Sequence, residues 1–269
     1  MSEKPQSLAA AAVGVLATAD AAAKAAAGRA AAAAWREGAI VEVGRATPPD
    51  RPARPPRPEL MLPRDLPRRS IGAAPKGRIA LLHAIAHIEL NAIDLAWDLI
   101  ARFSGEDLPR AFFDDWVAVA DDEARHFTLL AARLAALGAA YGDLPAHDGL
   151  WQAASDTRHD LLARLAVVPL VLEARGLDVT PAMIAKLEAA GDDESADTLR
   201  VIYHDEIGHV AAGKRWFDWA CARAGREPAE TWRALVRRYF KGALKPPFNE
   251  AARRAAGLTP ETYLPLVTG

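Results

Sequence analysis

Two segments of this 269-residue chain repeat one pattern: Asp122-Glu123-Ala124-Arg125-His126 and Asp205-Glu206-Ile207-Gly208-His209. In a helix, residues three apart lie about 60° apart around the axis, so each glutamate shares a face with its histidine and the two can hold one cation. A lone glutamate precedes each pair: Glu89 stands 34 residues before Glu123, and Glu173 stands 33 before Glu206. The six residues Glu89, Glu123, His126, Glu173, Glu206 and His209 make the donor set of a dinuclear carboxylate centre, with one glutamate from each of two helices and Glu-x-x-His from each of two others. Four carboxylates neutralise two divalent cations, and the mixed oxygen and nitrogen donors suit iron, with manganese as the alternative. With one cysteine, Cys221, a thiolate cage is excluded.

The six donors interrupt apolar stripes. On the first stripe Glu89 follows Leu82 and Ala86 and precedes Ile93, Ala96 and Ile100. Glu123 and His126 share a face with Phe112, Trp116, Val119, Leu130, Leu134 and Leu137. Glu206 and His209 share one with Leu199, Ile202, Gly213 and Trp216, and Glu173 ends the apolar run Leu165 to Leu172. Buried ion pairs would be the non-metal explanation, but these stripes carry no lysine or arginine to supply the opposite sign. An uncompensated buried carboxylate costs several kcal/mol, on the order of the whole stability of a domain. Asp122 and Asp205, one position before each paired glutamate, are expected to accept the free N–H of a ligand histidine, Asp122 from His209 and Asp205 from His126. His83 and His87 lie about 120° and 160° around the helix from Glu89 and belong outside the cluster. His204 should face outward, Tyr203 should pack, and Pro169 should bend its helix four residues before Glu173.

Positioning these residues takes long helices. Alanine, leucine, arginine and glutamate dominate, half the residues are hydrophobic, and no stretch alternates with period two, so the fold class is all-α. Periodicity and glycine breaks predict helices at about 77–103, 109–138, 149–175 and 192–224, with shorter ones at 180–190 (opened by Thr180-Pro181), 228–240 and 249–256. Four parts follow: an alanine-rich helical segment, 1–46, with a helix over 6–37; a proline- and arginine-rich extended connector, 47–75; a dimetal bundle, 76–224; and a helical extension, 225–269. Residues Leu8 to Ala17 imitate a signal-peptide core, but one lysine and one glutamate precede them and the apolar pattern continues to Ala34, which favours a helix. No run of about eighteen apolar residues is seen, so no membrane span is expected, and a cytoplasmic location follows. The net charge of −2 does not mark a nucleic-acid binder. The tail residues Arg237, Arg238, Lys241, Lys245, Arg253 and Arg254 read as a solvated basic face, with a phosphate-bearing substrate such as tRNA as the alternative. The connector arginines read as solvated or pinned to bundle carboxylates.

Across residues 76–220 the pattern resembles the ferritin-like superfamily, and the resemblance implies a ferritin-like four-helix bundle with an extra N-terminal helical segment and short C-terminal helices. The chain as a whole looks like a bacterial branch of that superfamily catalogued as a domain of unknown function. The resemblance is carried by His83 to Asp98 (HAIAHIELNAIDLAWD), the two Asp-Glu-x-x-His motifs, the proline-rich lead-in and the segment Leu244-Lys245-Pro246-Pro247-Phe248-Asn249. More distantly it is similar to the di-iron hydroxylases of modified tRNA adenosine and of quinone precursors. The expected function is an oxygen-dependent oxidase or hydroxylase, with Glu123 and Glu206 as catalytic carboxylates able to change binding mode. Electrons would come from an external reductase, since no flavin, nicotinamide or iron–sulfur signature is seen, and a homodimer is a further expectation. Iron storage or peroxide handling is the alternative.

Overall fold

A computed structural model of the chain describes residues 7–66 and 75–267. The segments 1–6 and 67–74, which include the first residues of the alanine-rich segment and the end of the connector, lie outside the described residues. The chain divides into two compact units, Met1–Asp148 and Gly149–Gly269. Both are helical, and the described residues contain no strand, only one isolated bridge between Leu60 and Ala146.

The first unit holds α1 (Leu8–Leu16), α2 (Ala21–Arg36), α3 (Pro75–Arg102) and α4 (Arg110–Ala136). The single helix expected over 6–37 is two helices. The first ends at Leu16 with Ala17 as its C-cap, and Asp20 caps the second, its side chain accepting from the Ala23 amide at 2.8 Å. Helix α1 packs on α3, and α2 on α4. Helix α2 also comes close to α3 at Gly28, where a Cβ would sit 3.0 Å from the indole nitrogen of Trp97. The described part of the connector has little regular structure, as its prolines predict, and it and the residues just before it are pinned by backbone hydrogen bonds. Glu42 and Val43 accept from the first amides of α1, Ala53 donates to Leu16, and Glu59 and Met61 bond Ala146. Its arginines reach carboxylates, Arg54 to Asp94 at 2.7 Å and Arg51 to Asp148 at 2.6 Å.

The expected apolar stripes are the buried faces of α3 and α4. By length and composition alone the 28 residues of α3 are long and apolar enough to cross a bilayer. Most of that surface is packed inside the unit, and the helix carries buried Glu89, Asp94 and Asp98. It is built as a core helix.

The second unit departs further from the sequence reading. In place of one helix over 149–175 there is α5 (Gly149–Asp156), a turn, and α6 (Leu161–Val167), which Asp160 caps through the Ala163 amide at 3.0 Å. A π-helical segment, Val168–Glu173, then passes directly into α7 (Ala174–Ala189). Gly176 therefore closes no helix, and Thr180-Pro181 opens none; Pro181 lies inside α7. Proline at 169 has no amide to give the preceding turn, and the backbone widens there as a π segment allows. Helix α8 (Asp193–Arg223) returns against α6, the π segment and α7. Helices α9 (Pro228–Tyr239), α10 (Glu250–Ala255) and α11 (Pro260–Tyr263) complete the unit, α9 on α6 and α10 on α7 and α8.

Candidate metal centre

Helices α3 and α4 bring Glu89, Glu123 and His126 together in the interior of the first unit. Their residue exposures are 3 %, 0 % and 0 %. One donor atom from each lies within 4.8 Å of the other two. The His126 Nδ1 faces both acids, 3.2 Å from Glu89 Oε2 and 3.5 Å from Glu123 Oε2. A single ion with ligands at about 2.0–2.2 Å holds its donors at most about 4.4 Å apart, so small side-chain adjustments suffice to close three donors on one cation.

The electrostatics of the cluster are those of acidic groups and an imidazole that share protons in a buried site. Burial first, and the Glu123 charge next, hold the Glu89 carboxyl well above the ordinary carboxylate range. Burial by itself would lower the His126 imidazole; the hydrogen bonds and charges of Glu123 and Glu89 outweigh it and push the group up to about 11. A cation can take the place of those protons, and two carboxylates with one imidazole are donors that could hold a metal ion.

The second unit carries the corresponding triplet. Glu173 is the last residue of the π segment, and Glu206 and His209 sit one turn apart on α8, with His209 Nδ1 3.7 Å from Glu206 Oε2. The side chain of Glu206 keeps 12 % of its exposure, against 1 % for Glu123. Of the two aspartates expected to steady the histidines, Asp122 is bonded by Arg125 at 2.9 Å, and Asp205 lies 3.6 Å from the exposed His204. Tyr203 packs, its hydroxyl accepting from Asn249 Nδ2 at 2.7 Å.

His83 and His87 stay out of the triplet, as their angular position on α3 requires. His83 Nε2 accepts from the Gly142 amide at 2.9 Å, and its ring stacks on Tyr141. His87 Nδ1 lies 2.9 Å from the Tyr141 hydroxyl, and Nε2 lies 3.0 Å from the His147 carbonyl. Asn91 Nδ2 also lies 3.1 Å from Nε2, and these partners suit a neutral ring with one nitrogen donating and the other accepting. Burial lowers the imidazole to about 4, in keeping with that form. The pair fastens the segment after α4 to the core.

The sequence reading missed a buried polar set beside the cluster. Lys24 of α2 and Asp94 of α3 are fully buried and paired at 2.5 Å. Lys24 also donates to the Ala53 carbonyl at 2.7 Å, and Arg54 bonds Asn91 at 2.8 Å. A lysine inside an alanine run was the available signal; the other cations of α2, Arg29 and Arg36, pair with Asp121. In the second unit Arg253 leaves the expected basic face. It is 2 % exposed, holds Asp178 at 2.8 and 2.7 Å, and lies over the rings of Tyr263 and Phe248. Arg237, Arg238, Lys241, Lys245 and Arg254 remain exposed.

No solved structure matches the chain significantly. It is similar to an uncharacterised protein of Haemophilus influenzae, 43% identical over 216 residues that span 76% of this chain and 73% of that protein. A family profile matches residues 17–264, nearly the whole length, and by that match the chain belongs to the family described as "Protein of unknown function (DUF455)".

Proposed function

We propose that the chain is a ferritin-like di-iron protein acting as an oxygen-dependent oxidase or hydroxylase, with Glu89, Glu123, His126, Glu173, Glu206 and His209 holding the two ions. The observation that carries this reading is the buried Glu89–Glu123–His126 cluster, in which donor atoms of two carboxylates and an imidazole converge within 4.8 Å. The repeat of the same triplet in the second unit supports two ions over one. A ferrous pair in such a site, when bound, supplies the electrons that reduce dioxygen. The chain's own part is distinct. The apolar walls of α3 and α4 exclude water, so competing reactions of bound species with solvent are suppressed. Glu123 anchors one ion in a fully buried position. Glu206 is less enclosed and is the carboxylate able to change binding mode and open a coordination position. A separate reductase would return the electrons.

The test is metal analysis followed by anaerobic loading with iron and addition of oxygen. Two ions per chain and an oxygen-dependent absorption change support the reading, and Glu123→Ala or His209→Ala should each remove them. Unchanged metal content and spectra in both variants would refute the ligand assignment, and hundreds of ions per assembly would indicate storage instead.

A further inference from the structure

Within the second unit, two contacts bracket the triplet, each about one helical turn from it. On one side Gly213, four residues after His209, meets Pro169, four residues before Glu173. A Cβ built on Gly213 would lie 2.4 Å from the Pro169 Cβ and 2.6 Å from its Cγ, so α8 approaches the π segment this closely only because position 213 has no side chain. On the other side Leu177, four residues after Glu173, is joined to Tyr203, three residues before Glu206, through Asn249. Its Nδ2 donates to the Leu177 carbonyl at 3.1 Å and to the Tyr203 hydroxyl at 2.7 Å. That carbonyl is the one Pro181 leaves without its intrahelical donor, because proline lacks the amide that would reach back four residues. The tail is itself fastened, with the Asn249 amide donating to Asp178 at 3.0 Å and Arg253 forking onto the same carboxylate.

We infer that Gly213 and Asn249 are positioning residues that together fix the register of Glu173 against Glu206 and His209. The inference rests on the proposed metal centre and gives a role to the segment ending in Pro246-Pro247-Phe248-Asn249, which no metal ligand explains. Two prolines interrupt the helix that carries Glu173. One loosens the backbone into the π segment, and the other frees a carbonyl. Each disturbance is met by a specific partner, and between the two the ligand turn is held at both ends. A π segment without these braces could shift by a residue, which would swing Glu173 about 100° around its axis.

The experiment uses the full chain with cobalt(II) as a spectroscopic probe, in wild type, Gly213→Ala, Asn249→Ala and the control Gly208→Ala. Gly208 lies between Glu206 and His209, is exposed, and has open space where a Cβ would go. Amide exchange of the metal-free proteins is followed in parallel. Gly213→Ala and Asn249→Ala should weaken cobalt binding about tenfold to a hundredfold, change the visible spectrum of what remains, and speed exchange around 203–213, while Gly208→Ala does none of these. Wild-type cobalt affinity, spectrum and exchange in Asn249→Ala overturn the inference even if Gly213→Ala fails to fold. If wild type takes up no cobalt yet the exchange pattern holds, the braces stand as a structural device and the metal reading fails.

Discussion

Five residues after each lone glutamate stands a buried aspartate, Asp94 after Glu89 and Asp178 after Glu173, and the two are held differently. Asp94 takes Lys24 from the alanine-rich α2 and Arg54 from the connector. Asp178 takes one buried cation, Arg253 from the tail, backed by two aromatic faces, and a half-exposed one, Arg175, from its own helix at 3.4 Å. The helix bearing Glu89 is regular throughout, whereas the one bearing Glu173 is π-helical up to that residue and contains a second proline farther on. The repeated triplets are therefore set in unlike supports. The first is a closed, dry and regular anchor. The second keeps more exposure and more backbone freedom, with its restraint supplied from outside the hairpin. The comparison also explains why the hairpins need flanking segments at all, since each buried aspartate gets its counter-charge from one of them.

The sharpest way to break this comparison is to remove the two aspartates in turn. Asp94→Asn leaves Lys24 and Arg54 without their anion in the interior, and denaturant unfolding should show a loss of about 3–5 kcal/mol. Asp178→Asn strands one buried arginine, Arg253, that keeps its contacts with Phe248 and Tyr263, while Arg175 is solvated, so its loss should be about 1–2 kcal/mol smaller. Equal losses would mean that the supports are equivalent.

Acid should separate the units next. His87 is present only in the first, and its folded value of about 4 lies below the ordinary 6.5. The unfolded chain binds the extra proton between those values, so the stability contributed by the neutral ring is complete above about pH 6.5 and is lost as pH falls toward 4, about 3 kcal/mol in all. His87→Gln should flatten that slope in equilibrium unfolding followed from pH 7 to 4. A slope retained in the variant would place the titration elsewhere. The smallest effect belongs to the second triplet: Gly208→Ala should raise stability by about 1 kcal/mol through helix propensity alone, visible as a modest rise in melting temperature.

The residues that could be read from sequence are those whose reasons are local. Glu89, Glu123 and His126 show themselves as polar interruptions of apolar stripes, and the ends of α3, α4 and α8 fall within two residues of where periodicity and glycines put them. The failures lie where a distant partner supplies what the local sequence lacks. Pro181 looks like a helix start because nothing nearby can satisfy Leu177; Asn249, 72 residues away, does so. Arg253 looks like one more cation of a basic face because its anion is Asp178, 75 residues earlier. Lys24 looks like a solvated lysine in an alanine run until Asp94 is found against it. The break at 157–160 was available locally, in Asp160 before the run from Leu161, and its capping role outweighed the continuous helical period.

The central proposal is that Glu89, Glu123, His126, Glu173, Glu206 and His209 hold two ions. Mössbauer spectroscopy of the chain loaded anaerobically with iron-57 and then oxidised tests it most directly. Two irons per chain in a magnetically coupled pair, lost together in Glu123→Ala and in His209→Ala, is the predicted result; isolated, uncoupled iron that survives in one of those variants would contradict it.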